Sequence, residues 1–343
     1  MTHEFLAILW FIFLGIFLAG YAILDGFDLG VGMLHPFLAK SDQQRRIFMN
    51  AIGPLWDGNE VWLIVFGGSM MAAFPEVYAT VFSGFYNALM LVLLGLILRA
   101  VSLEFRSKMH VSVWRRFWDW GFFLGSLLPT VVFGLAVGNA MQGLPLNERG
   151  EPAFSFLDLF NPYALLVGAF TVAMFLMHGA IFLYLKTPDS ELRDRLREWM
   201  WHTWGLFLVL YVLTTIYTLV SVERATMNFE RWPWAGVVVV LNVLAIANIP
   251  RAIYHGRPLQ AFFSSCVAIG AFVGLFSLAL FPVMLPSVPN PENSLTVFNS
   301  ASSATTLTVM TIVAAIGTPL VLTYTAIVYW TFRGEVELEE HSY

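Results

Sequence analysis

The sequence predicts an all-α integral membrane protein with nine transmembrane helices, its N-terminus outside and its C-terminus cytoplasmic. Three observations predict it. Of 343 residues, 58% are hydrophobic and 12% charged, with a mean hydropathy of +0.72; a soluble globular protein carries about twice that charged share. The few charges leave uncharged runs long enough to cross a bilayer, which takes about 20 apolar residues. Basic residues also gather in alternate connectors. The composition excludes other classes as well. A net charge of −5 gives no footprint for nucleic acid. The single cysteine, Cys266, excludes a disulfide framework and any Cys-ligated zinc or iron–sulfur cluster.

The helices are expected at 5–38, 53–75, 77–99, 119–141, 162–185, 203–222, 233–250, 260–285 and 304–332, in one polytopic domain covering 1–343. The first run starts almost at the beginning without a basic flank, so no cleavable signal is expected. The second is short unless read back to Gly53, which brings Asp57 and Glu60 into a span. Pro286 to Ser303, rich in Pro, Asn and Ser, cannot span and is a connector. An acidic tail, Glu335 to Glu340, closes the chain.

Connectors on one side hold Lys40, Arg45, Arg46, Arg99, Arg106, Lys108, Arg115, Arg116, Lys186, Arg193, Arg195, Arg197, Arg251, Arg257 and Arg333. The other side holds Arg149, Arg224 and Arg231. This positive-inside bias sets the orientation. Trp114, Trp118, Trp120, Trp199, Trp201 and Trp204 then fall at the inner headgroup level as an anchoring belt. Small residues at Gly67, Gly68, Ala72 and Ala73 predict close helix packing inside the protein.

Ionisable side chains within spans are expensive and mark function by default. Two acid–Gly–x–acid units stand out, Asp25-Gly-Phe-Asp28 and Asp57-Gly-Asn-Glu60. Residues three apart share a helix face, and the first two spans form an antiparallel hairpin. Asp25 and Asp57 therefore lie about 22 and 16 Å from the charged loop, in the cytoplasmic half. One reading makes them proton-handling groups. The other is architectural: Pro54 opens the second helix, and Asp57 with Glu60 forms an N-cap and its partner. One cap needs one acid, however, and the first helix repeats the unit where no helix begins.

His178 lies deep in the fifth span. A haem ligand is the sharp reading and a hydrogen-bonded core histidine the bland one. A bis-His haem needs a second buried imidazole, and His3, His35, His110, His202, His255 and His341 fall at span ends or in loops. The chain alone is expected to bind no haem and no metal.

These motifs resemble subunit II of the cytochrome bd-type quinol oxidases. The resemblance is carried by Asp25-Gly-Phe-Asp28-Leu-Gly-Val-Gly-Met33, Arg45-Arg46 and Ile52-Gly-Pro-Leu-Trp56-Asp57-Gly-Asn-Glu60-Val-Trp62. Ala73-Phe-Pro75, Phe82-Ser-Gly84-Phe-Tyr86, Phe105-Arg-Ser-Lys108, Trp118-Asp119-Trp120-Gly121 and Phe281-Pro282 continue it nearly end to end. It implies two four-helix bundles plus a peripheral helix. It also implies a complex that oxidises quinol and reduces O2 to water in a bacterial or archaeal plasma membrane. The partner, subunit I, holds two haem b and one haem d. This chain stabilises subunit I and contributes a cytoplasmic proton-uptake path. Asp57 matches the family's entry acid and Asp25 lies beside the same route, with Asp28 and Glu60 as further members. Some relatives carry Gln where Glu60 stands. A structural quinone, a small single-helix subunit and bound lipid accompany some relatives. The competing class is a proton- or cation-coupled secondary transporter, which intramembrane acids would also suit. The paired broken helices in two halves that such transporters often show are not found in the sequence.

Overall fold

The computed structural model describes residues 2–188 and 191–338. Among these, eight helices are long and apolar enough to cross a membrane. They are α1 (His3–Leu38), α5 (Tyr86–Phe105), α6 (Ser112–Gln142), α7 (Pro162–Lys186), α8 (Glu191–Ser221), α10 (Gly236–Tyr254), α11 (Pro258–Leu280) and α12 (Ala304–Thr331). Three shorter helices are α2 (Asp42–Ile52), α4 (Pro75–Gly84) and α9 (Arg224–Arg231). The expected second span forms α3 (Trp56–Ala73), a helix of 18 residues whose polar first turn keeps it out of the set of eight.

Five expectations need correction. The helix expected at 260–285 stops at Leu280, because Pro282 cannot continue it, and Val283–Leu285 form a strand instead. The span expected at 77–99 is two helices. Pro75, which cannot continue a helix, ends α3 at Ala73 and opens α4, and a second break at Phe85 starts α5. Residues 42–52, read as connector, form α2, because Ser41 caps the Gln44 amide and Ile47, Phe48 and Ile52 supply a buried face. Helices α6 and α8 begin seven and twelve residues earlier than expected, since helix continues past the apolar run into amphipathic sequence. A Cβ on Gly67 or Gly68 would meet nothing within 4 Å, so the expected close contact is absent there, whereas Ala73 is fully buried as expected. Glu339 and Glu340 of the acidic tail, and His341, lie outside the described residues.

Helix α1 is the hub, packed against α3, α6, α7 and α11. A Cβ on Gly30 would lie 2.0 Å from the Phe175 carbonyl oxygen, so α1 and α7 meet backbone to backbone. Gly125 plays the same part in bringing α6 against Arg99 of α5. Two large apolar cores result, beside a smaller cluster around Met141, Tyr163 and Leu280. One gathers Leu6, Trp10, Leu14, Phe74, Val92 and Val297 around the first half of α1. The other gathers Phe27, Leu34, Phe48, Ile52, Phe122 and Phe182 around its second half. The connector after α11 is a two-stranded antiparallel ribbon, β1 (Val283–Leu285) with β2 (Leu295–Thr296). Helix α12 lies on the edge, with Leu307 buried and Trp10 Nε1 donating to the Leu307 carbonyl at 3.1 Å.

Candidate functional site

Between the two cores lies a polar cluster. The 3.6-residue helical repeat sets Asp25 and Asp28 on one face of α1, and both are fully buried. Arg99, also fully buried, extends from α5: its Nη1 donates to Asp25 Oδ1 at 2.6 Å and its Nη2 to Glu60 Oε2 at 3.2 Å. Asn59 of α3 donates through Nδ2 to Asp28 Oδ2 at 2.8 Å and to the Leu24 carbonyl at 3.2 Å. Tyr329 of α12 donates from its hydroxyl to Asn59 Oδ1 at 2.9 Å. Four helices thus meet through two hydrogen-bonded groups: Arg99 joins α5 to α1 and α3, and Asn59 joins α3 to α1 and α12. One guanidinium stands among three carboxyl groups and bonds two of them. Burying such charges is costly unless they are paired, which is why every member has a partner while Asp25 Oδ2 and Asp28 Oδ1 remain uncommitted.

Of the four acids singled out in the sequence, the structure brings together Asp25, Asp28 and Glu60. Asp57 is elsewhere. It is exposed on the outer face of α3, in line with Val61, Ile64, Gly68 and Met71. It does not cap: Leu55 is the N-cap of α3 and makes no side-chain cap bond. Three members were missed. Arg99 ended an uncharged run and was read as a loop charge, although Leu98 and Ala100 to Leu103 continue the apolar pattern around it. Asn59 sat inside the second acidic motif, and Tyr329, 270 residues from it, gave no local signal.

His178 is buried, with Nδ1 bonded to Ser265 Oγ at 2.7 Å and Nε2 to the Ile23 carbonyl at 2.9 Å. Its ring stacks on Phe262. His35, expected at a span end, does lie in the last turn of α1 and is fully buried there.

A second charged cluster closes the arginine-rich end of the bundle. Asp119 of α6 accepts from Arg45 and from Arg106 Nε, the latter at 2.6 Å. Arg106 Nη2 reaches Asp42 Oδ1 at 2.8 Å and Arg115 Nη1 reaches Asp42 Oδ2 at 2.9 Å. Partial burial opposes ionisation of Asp42, but the Arg106 hydrogen bond and the charges of Arg106, Arg115 and Arg46 outweigh it and hold the carboxyl below its usual value.

A helical membrane protein with a buried carboxylate–guanidinium cluster is the class that this fold and site define. Residues 6–332 match the family described as cytochrome bd terminal oxidase subunit II. The chain is 37% identical over 376 residues to the cytochrome bd-I ubiquinol oxidase subunit 2 of Escherichia coli (strain K12), covering 99% of this chain and 97% of that one. It is 33% identical to the cytochrome bd ubiquinol oxidase subunit 2 of Bacillus subtilis (strain 168), with 97% of each chain covered. The bd oxidase structure from Geobacillus thermodenitrificans superposes with a TM-score of 0.80 at 17% identity, over 95% of this chain and 98% of that one, and so shares the fold. The chain belongs to the cytochrome bd terminal oxidase subunit II family. It is therefore a membrane-embedded subunit of a terminal oxidase complex.

Proposed function

We propose that this chain is the haem-free subunit II of a quinol-oxidising, O2-reducing complex. It stabilises the haem-bearing subunit I and supplies part of a proton-uptake path from the cytoplasm. In this reading α3 is the second of nine spans, the N-terminus faces outward, and one polytopic domain forms two four-helix bundles with α12 peripheral.

The observation that carries the reading is the buried cluster of Asp25, Asp28, Glu60 and Arg99 at the junction of the two cores. Its acids outnumber its base, so the cluster is electrically balanced only when it also holds protons. Reducing O2 to water consumes protons, and carboxyl groups inside a bundle can pass them through hydrocarbon. Asp57 supports the partner. Asn59 reaches Asp28 and the Leu24 carbonyl, so the first turn of α3 lies about 15 Å of helix short of the end of α1 at Leu38. A carboxylate exposed at that depth is costly against lipid but tolerable against protein. The outer face of α3, with Asp57 and the unpacked Gly67 and Gly68, is accordingly assigned to subunit I. His178 supports the haem-free assignment, because both its ring nitrogens are already committed.

The test is quinol-driven O2 consumption by purified complexes carrying Asp25→Asn or Asp57→Asn, with haem content measured alongside. Slower turnover at unchanged haem content is expected. Full activity in both assembled variants overturns the proton role.

A further inference from the structure

We infer that the buried polar stripe of α1 extends to His35, which loads protons from the arginine-rich end of the bundle, with Ser126 between His35 and Asp28. This rests on the proton-path reading above and adds its inner end.

Tyr21, Asp25, Asp28, Gly32 and His35 follow one another at spacings of four, three, four and three, which is one face of a helix. All five are buried. Each of the four with a polar side chain has a polar atom without a protein partner: Tyr21 Oη, Asp25 Oδ2, Asp28 Oδ1, and both Nδ1 and Nε2 of His35. Buried polar atoms are nearly always paired, so four in file on one helix face call for an explanation. His178 shows the alternative, an imidazole locked at both nitrogens. His35 packs edge-on against Phe48 and Phe122, which accounts for its ring but not for its nitrogens.

The gap in the file is Gly32, and Ser126 of α6 fills it. A Cβ on Gly32 would fall 1.9 Å from Ser126 Oγ, so the hydroxyl lies against the stripe between Asp28 and His35. At the inner end, His35 Nε2 is 3.6 Å from Asp119 Oδ1. The charged groups facing His35 are Asp119 from α6, Arg106 after α5 and Arg45 from α2, and both arginines are paired to Asp119. A proton taken up at one imidazole nitrogen leaves from the other, passes the Ser126 hydroxyl and reaches the free oxygen of Asp28. The ring returns to neutral with its tautomer reversed, and a ring flip or a proton leaving by the same path resets it.

The test uses purified, haem-loaded complexes carrying His35→Gln, Ser126→Ala or Asp25→Asn, with O2 turnover followed against pH. Glutamine keeps a polar side chain but cannot titrate. The inference expects His35→Gln and Ser126→Ala to turn over about a hundredfold more slowly, the lower end of the usual range for losing a proton-transfer group. It also expects the pH profile of turnover to change shape in His35→Gln. Wild-type rates and pH profiles in both, with Asp25→Asn slowed, overturn the His35 route and leave the proton path standing. Wild-type behaviour in all three overturns both. If His35→Gln slows equally at every pH, the histidine is structural and the inference fails. If His35→Gln does not assemble, Ser126→Ala decides.

Discussion

Arg99 of α5 and Asp25 of α1 form a fully buried ion pair, with Nη1 2.6 Å from Oδ1, inside a chain where charged residues are scarce. The second guanidinium nitrogen holds Glu60, so one side chain ties α5 to both α1 and α3. Gly95 and Gly125 let α5 and α6 approach closely enough to enclose it.

Removing one partner of this pair leaves a buried charge uncompensated, at a cost of roughly 3–5 kcal/mol. Arg99→Leu is therefore expected to abolish assembly. A double variant, Arg99→Leu with Asp25→Leu, should recover part of the folded yield, read by size-exclusion chromatography in mild detergent. A double variant no better than the single one contradicts this.

Tyr329 links α12 to the cluster through Asn59. Tyr329→Phe removes one hydrogen bond, worth about 1 kcal/mol, from a helix with little other buried surface. The N-terminal end stays pinned by the bond from Trp10 to the Leu307 carbonyl. Hydrogen exchange should quicken in the C-terminal half of α12 and remain unchanged near Leu307.

Close contact at Gly30 leaves no room for a methyl group, because its Cβ would meet the Phe175 carbonyl oxygen at 2.0 Å. Gly30→Ala must push α1 from α7, and overpacking of this kind costs about 1–3 kcal/mol or more. Gly205→Ala, where nothing lies within 4 Å, should express and melt like the wild type. Equal thermal stability of the two variants would remove the basis of this packing argument.

Asp42 gives a pH signature. Burial works against its charge, but Arg106 and Arg115 prevail and its folded carboxyl titrates below the ordinary value. The stabilisation is thus complete above the unfolded value and is lost as pH falls through the folded one. Asp42→Asn should lower thermal stability modestly at neutral pH, where a partly exposed pair is screened. The difference from wild type should vanish in acid. A difference that persists in acid would assign the effect to packing.

Much of this architecture was legible in one dimension. Apolar runs near the length a bilayer demands marked most of the spans, the Pro- and Asn-rich stretch after residue 286 marked a non-helical connector, though not the strand Val283–Leu285 before it, and the three-residue spacing put Asp25 and Asp28 on one buried face. These features follow from local chemistry: hydropathy, helical period and the missing amide of proline. Arg99 was not legible. A cation that ends an apolar run looks the same whether it enters water or turns inward to a carboxylate on another helix. Nor was the outward face of Asp57, or the 270-residue separation that Tyr329 closes on Asn59. The sequence alone determined that carboxylates enter the membrane and which of them share a helix face. Only the tertiary structure decided which are paired and which are exposed, because partner choice depends on how α1, α3, α5 and α12 pack, and glycines and apolar side chains far from the acids set that packing.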